Sequence, residues 1–225
     1  MIVLVAHGTR DPAGPRVIEN LAARVRARGA DVAVAYADVR APGVTTVLGA
    51  VAAPAVVVPA FLAAGYHVRT DIPAQVAASR NRHVRITEPF GPAPELVGAA
   101  HERLRQAGYR AGDSVVLAAA GSSDPRALAD VRTAADALAR RLRAPVRVGY
   151  AATAEPSIAA AVAAARRGGA RVAVASWLLA PGLFQRRVAD SAPDLVAEPI
   201  GAHPAVVDLV LRRYAASCQR TRASA

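Results

Sequence analysis

The chain opens on an unbroken apolar run, Ile2 to Ala6, with no polar position alternating through it. Such a run, closed by His7 and Gly8, reads as a strand covered on both faces, the habit of parallel sheets. Asp11 then stands where a helix N-cap would, with Pro12 at the first helical position, where its missing N–H costs nothing. Val17, Ile18, Leu21 and Val25 follow at helical spacing, and Gly29 stops the helix. Residues 31–37 supply a second strand, a short helix starts at Val44, and residues 55–59 and 84–87 read as two more strands. From residue 115 the scheme starts again, with strand 115–119, helix 125–143, strand 146–151, helix 156–167, strand 171–177 and a last strand near 195–198. Helices are also expected around His101 and from Pro204. Strand–helix alternation at this spacing gives a parallel sheet with helices on both sides.

The recurrence is an internal duplication. Ile2 to Pro12 resembles Val115 to Pro125, and Tyr36 to Asp38 with Pro42 resembles Tyr150 to Ala152 with Pro156. Phe61 to Gly65 resembles Leu178 to Gly182, and Glu88 to Gly91 resembles Glu198 to Gly201. The four matches keep one order, at offsets of 113, 114, 117 and 110, which chance does not produce. The expected architecture is α/β, with two homologous lobes, each a parallel sheet of about four strands flanked by helices. Their expected bounds are 1–111 and 112–225, joined near Arg110 to Asp113.

Composition narrows the class. The chain is 53% hydrophobic but only 4% aromatic, so its core is built from Ala, Val and Leu, and disorder is excluded. Val47 to Val68 carries no formal charge apart from His67, which raises a membrane span. Gly49, Pro54, Pro59 and Gly65 break it, so it reads as a helix end followed by a strand. The start has no charged n-region ahead of its apolar run, so no signal peptide is read there. A cytoplasmic protein is expected. Cys218, in a polar C-terminal segment, is the single cysteine, which excludes a disulfide framework and a thiolate cluster. The net charge is +11, and every basic residue is arginine. The arginines are scattered, without the basic run and interleaved aromatics that nucleic acid calls for. A small polyanion is the expected partner.

In a doubly covered parallel sheet, ligands bind at the carboxyl ends of the strands. His7 follows the first strand, Asp38 follows the second, and His67 lies in the loop after the third. Two imidazoles and a carboxylate suit a borderline divalent metal such as Co²⁺, Fe²⁺, Ni²⁺ or Zn²⁺. Each residue alone has an ordinary structural use, a turn histidine or a capping aspartate. The duplication separates the readings: the matching positions are Ala120, Ala152 and Phe184, so all three ligands vanish together while the scaffold around them stays. One metal site, in the first lobe, is expected. Arg10 and Arg69 stand beside the histidines and become candidate anchors for substrate carboxylates. His83 and His101 read as surface residues, and His203 as a turn residue before Pro204. Neither a P-loop nor a Gly-x-Gly-x-x-Gly fingerprint is present. A histidine phosphatase would need arginine directly before His7, where Ala6 stands.

Ala6-His7-Gly8-Thr9-Arg10, together with Phe61-Leu-Ala-Ala-Gly65-Tyr-His67-Val-Arg-Thr-Asp71-Ile-Pro73, resembles the paired signatures of the sirohydrochlorin chelatases, and the resemblance spans nearly the whole chain. Asp38 stands where relatives often carry Glu. The resemblance implies an ATP-independent lyase that inserts Co²⁺, Fe²⁺ or Ni²⁺ into sirohydrochlorin, a carboxylate-rich tetrapyrrole, for cobalamin or siroheme. It implies the metal as substrate, no organic cofactor, and His7 and His67 as catalytic residues; the duplication itself suggests a monomer whose fused lobes replace a dimer. Ligation needs neutral imidazoles, so activity is expected to fall below about pH 6. The rival class is a metal or tetrapyrrole carrier on the same fold, which would bind without turnover.

Overall fold

The computed structural model describes residues 1–51 and 54–223; residues 52 and 53, inside the Val47 to Val68 stretch, lie outside it. The first repeat runs β1 (Ile2–Ala6), α1 (Ala13–Arg26), β2 (Val32–Tyr36), α2 (Val44–Ala50), β3 (Ala55–Pro59), a π-helical turn (His67–Asp71), α3 (Ile72–Ala78), β4 (Val84–Ile86) and α4 (Pro94–Gln106). The second runs β5 (Ser114–Ala119), α5 (Pro125–Leu142), β6 (Val146–Tyr150), α6 (Ile158–Arg166), β7 (Val172–Trp177), α7 (Leu183–Asp190), β8 (Leu195–Val196) and α8 (Pro204–Ala223).

Each repeat forms a four-stranded sheet, ordered β2-β1-β3-β4 in the first and β6-β5-β7-β8 in the second. Every strand pair is parallel. The two central strands of each sheet are buried almost along their whole length, which explains their continuous apolar runs. Below the first sheet, Val3, Val5, Val57, Leu48 and Ile72 pack together; Val116, Val174, Val162 and Val188 do so in the second.

The turn after each first strand is built twice from the same parts. Thr9 Oγ1 accepts from the Asp11 amide at 3.1 Å, and Asp11 Oδ1 accepts from the Ala13 amide at 3.0 Å. Ser122 and Asp124 repeat both bonds, at 3.0 and 2.9 Å. Helix α1 is bounded at Ala13, one residue later than its sequence predicts, although Pro12 just before it already has helical dihedrals.

Three further features emerge from the structure. His67 is not in a loop but begins the π turn, which runs into α3. The polar C-terminal segment is helical, and Cys218 lies exposed on α8. The compact units also divide differently from the sequence repeats: one comprises Met1–Phe90 with Ala202–Ala225, the other Gly91–Gly201. The chain changes unit at the matched Glu-Pro-x-Gly segments, so each repeat gives its last helix to the other unit. Helix α4 buries Leu96, Val97 and Leu104 against β7 and α5, and α8 buries Val206, Leu209 and Val210 against β3 and α1. Duplication marks which segments are homologous, whereas apolar burial decides which of them pack together.

Candidate metal centre

His7 stands one residue beyond β1, and the β1–β2 pairing continues past both strands. The Ala37 amide donates to Ala6 O at 2.8 Å and the Asp38 amide to His7 O at 2.9 Å, which locks the two loops side by side. Gly8 then turns with φ +96°, a region that disfavours side chains, and a Cβ there would run into the carbonyl oxygen of Asp38. Asp38 is exposed, with Oδ1 accepting from the Val39 amide at 2.7 Å. His67 arrives from the third strand. The amides of Val68 and Arg69 both donate to Gly65 O at 3.1 Å, and the Ile72 amide reaches back to His67 O to close the wide π turn.

These segments bring His7, Asp38 and His67 together, so that one potential ligand atom from each lies within 4.8 Å of the others. The two imidazole rings meet edge to face with centroids 4.5 Å apart. Phe61, half-buried against the core, lies 6.4 Å from the His7 ring and 6.1 Å from that of His67. The ring tautomers follow from the partners. His7 Nδ1 lies 2.8 Å from Gly8 O, and His67 Nδ1 lies 2.9 Å from Asp71 Oδ2. A carbonyl and a carboxylate only accept, so each Nδ1 carries the proton and each Nε2 keeps its lone pair for a metal. Burial raises the Asp71 carboxyl, but hydrogen bonds from Gln75 and His67 outweigh it and hold the group below the usual carboxylate range. The carboxylate is therefore present to orient His67 at neutral pH. Sequence reasoning assigned Asp71 and Gln75 no role; their signal was the i, i+4, i+8 spacing from His67, which becomes meaningful once that stretch is known to be helical.

Arg10 and Arg69 are exposed on the two histidine-bearing segments, and Arg69 Nε donates to Ala64 O at 2.7 Å. Arg40, not singled out from the sequence, donates to Thr9 O at 3.3 Å and is a third cation on these loops. Val39 and Tyr66, next in sequence to Asp38 and His67, are 48% and 65% exposed, so apolar surface flanks the candidate ligands. His83 is exposed, as expected. His101 is half-buried and accepts from Arg141 Nε at 3.0 Å; burial, then Arg141 and Arg105, push its pKa down. His203 is buried and accepts from the Ala205 amide at 3.2 Å, holding the start of α8.

The second repeat keeps the frame and closes the site. The Ala152 amide donates to Ala120 O at 3.0 Å, the counterpart of the Asp38–His7 bond, and Gly121 repeats the turn of Gly8 with φ +95°. Ala120, Ala151 and Phe184 pack on the apolar core. An α-helix, α7, stands in place of the π turn. Four residues after Phe184 comes Val188, fully buried, where Asp71 stands four residues after His67.

The described residues contain no helix long and apolar enough to cross a membrane. A comparison with curated proteins gives no match. Among solved structures, SirB from Bacillus subtilis with Fe³⁺ superposes with a TM-score of 0.82 at 23% identity, over 95% of this chain and 93% of that one. A sirohydrochlorin chelatase SirB from Bacillus subtilis subspecies spizizenii, in complex with cobalt, gives 0.77 at 23% identity over 94% and 92%. CbiX, described as the terminal enzyme for biosynthesis of siroheme in denitrifying bacteria, gives 0.73 at 25% identity over 96% and 98%. The family model CbiX matches twice, over residues 1–107 and 114–217, once for each repeat. With its model matched along both repeats, the chain belongs to the CbiX family.

Proposed function

We propose that this protein is a sirohydrochlorin chelatase, inserting Co²⁺ or Fe²⁺ into the macrocycle for cobalamin or siroheme synthesis, with its active site in the first repeat. The observation that carries the reading is the gathering of His7, Asp38 and His67 within 4.8 Å, in a chain of the CbiX family. The similar structures add SirB with Fe³⁺ and with cobalt, and a CbiX described as the terminal enzyme of siroheme biosynthesis.

The chemistry follows from the ligand atoms. His7 Nε2 and His67 Nε2 hold the incoming dication as neutral donors, and Asp38 supplies a carboxylate oxygen; three protein ligands leave coordination positions open for the macrocycle nitrogens. As the metal enters, two pyrrole N–H protons leave, so the charge delivered equals the charge released. Asp38, or a histidine freed from the metal, accepts them one at a time, passing each to solvent before the next. Val39 and Tyr66 offer apolar surface to the macrocycle, while Arg10 and Arg69 pair with its peripheral carboxylates. The overall charge of +11 draws the polyanion towards the protein. The reaction uses no organic cofactor, and the protein acts as a cytoplasmic monomer; a solution mass of one chain checks the last point.

Anaerobic mixing of the protein with sirohydrochlorin and Co²⁺, Fe²⁺ or Ni²⁺ in turn, followed by absorption, tests the reading. A chelatase produces the metallated spectrum faster than the protein-free control. A carrier, which holds metal through the same residues, gives no acceleration, and that result would overturn the proposal.

A further inference from the structure

The three ligands are not fixed equally. His7 and Asp38 are locked through the extended β1–β2 pairing, with amide-to-carbonyl bonds at 2.8 and 2.9 Å. His67 has no such backbone link to either of them, because β3 ends at Pro59 and the π turn begins at His67. Beside the apolar packing of Ile72 and Val76 on the core, a hydrogen-bonded chain through one side chain runs from the Asp38 strand to the His67 ring. Gln75, on α3, donates from Nε2 to Ala37 O at 2.8 Å and to Asp71 Oδ1 at 2.9 Å, and Asp71 Oδ2 in turn holds His67 Nδ1 at 2.9 Å. An amide nitrogen has two hydrogens, so both bonds form at once. A second bond, Thr45 Oγ1 to Gln75 O at 3.0 Å, pins the backbone at the same point to α2. The path from the Asp38 strand to the His67 ring is thus continuous.

The second repeat separates the structural part of this link from the rest. The counterpart of Ala37 O is Ala151 O, and it too is bound by a side chain from the following helix, Arg187 Nη1 at 2.6 Å. Satisfying that carbonyl is therefore a need of the scaffold, met in both repeats. Only in the first repeat does the donor continue into a carboxylate and a histidine. At the Asp71 level the second repeat has buried Val188, four residues after Phe184.

We infer that Gln75 and Asp71 are positioning residues, a clamp that sets the distance of His67 Nε2 from His7 and Asp38 and so fixes the geometry offered to the metal. Outer partners of ligating histidines fix ring orientation and change metal affinity by about 10- to 100-fold when removed. The inference deepens the chelatase reading and rests on it for its meaning, but its test does not need turnover. Co²⁺ alone is the probe, added to the full chain, with its visible absorption reporting coordination geometry and titration reporting affinity. Gln75→Leu should weaken Co²⁺ binding about tenfold and alter the band shape, and should also lower the thermal midpoint because the buried Ala37 O loses its donor. Asp71→Asn should change Co²⁺ binding in the same way, and the double variant should bind little worse than the weaker single one, because both changes cut one path. Gln75→Asn, whose amide is one methylene short, should not restore affinity.

Unchanged Co²⁺ affinity and spectrum in Gln75→Leu, alongside lost stability, would overturn the clamp and leave Gln75 a scaffold residue like Arg187. Additive losses in the double variant would likewise overturn the single path. If the variants behave as expected but the wild-type chain metallates no sirohydrochlorin, the clamp holds and the chelatase reading is the one that fails.

Discussion

At the scale of single residues, Gly8 and Gly121 form a matched pair that isolates what the site adds to the scaffold. Both hold φ near +95°, and a Cβ on either would strike the carbonyl of the residue across the turn, Asp38 or Ala152. Gly8→Ala and Gly121→Ala are therefore each expected to cost about 1–3 kcal/mol or more in backbone strain and displacement. Urea unfolding measures this, and only Gly8→Ala should also lose Co²⁺ binding, since only it moves a ligand. His7→Ala and His67→Ala should reduce metal insertion by more than about 100-fold, as outright ligand loss exceeds the cost of losing an outer partner. Because His7 is exposed and His67 half-buried, the thermal midpoint should barely change, with a stability cost within about 1 kcal/mol. Near-normal insertion by either variant would refute a two-histidine site. His7, Asp38 and His67 could be singled out as candidate ligands from the sequence because the second repeat displays the same scaffold without them. Asp71 and Gln75 were not, because their contacts depend on helix phase, and the one-residue widening of a π turn leaves no pattern in a single sequence.

At the scale of elements, the sheet of the second unit is fastened at its entry by Asp113 and Arg171, the residues before β5 and β7. Arg171 donates to the Asp113 carboxylate from Nε at 3.0 Å and Nη2 at 2.8 Å, and the Arg110 amide adds a bond at 2.8 Å. The Arg171 hydrogen bonds, joined by the Arg110 amide and the two positive charges, outweigh desolvation and hold the Asp113 carboxyl below the usual range. A lowered folded pKa adds stability above the unfolded pKa near 4, and that gain disappears as pH falls through the folded value. Asp113→Asn should therefore unfold at lower urea than the wild type at neutral pH, and the gap should close on acidification to about pH 2. A gap that persists there would show that the pair acts through something other than charge. The strands of both sheets were readable as apolar runs, and most helices from their period. Helices α3 and α7 were not expected: each buries a single residue, Ile72 or Val188, whereas α2, equally short, buries the i, i+4 pair Val44 and Leu48.

At the scale of the whole molecule, the exchange of α4 and α8 ties each sheet to a helix from the other repeat. Val206, Val207, Leu209 and Val210 of α8 are at most 4% exposed, yet they lie more than a hundred residues from the strand they cover. At about 1.5–3 kcal/mol for each buried side chain, their removal takes away an amount comparable with a whole domain's stability. A chain ended at Gly201 is therefore expected to lose cooperative unfolding of the first unit and Co²⁺ binding with it, although every proposed ligand lies before residue 72. A truncated chain that binds Co²⁺ normally and melts sharply would show that α8 is dispensable to that unit.

Residue order alone carries the duplicated parallel-sheet frame, the sheet edge where His7, Asp38 and His67 stand, and the loss of those three residues in the second repeat. Those properties are periodic or repeated, and periodicity and repetition are carried in the order of residues. Which helix covers which sheet, the π turn that begins at His67, and the reach of Gln75 to both Ala37 O and Asp71 are set by packing. Those depend on apolar burial between distant segments and on hydrogen-bond distances of about 3 Å, which exist only once the chain has packed.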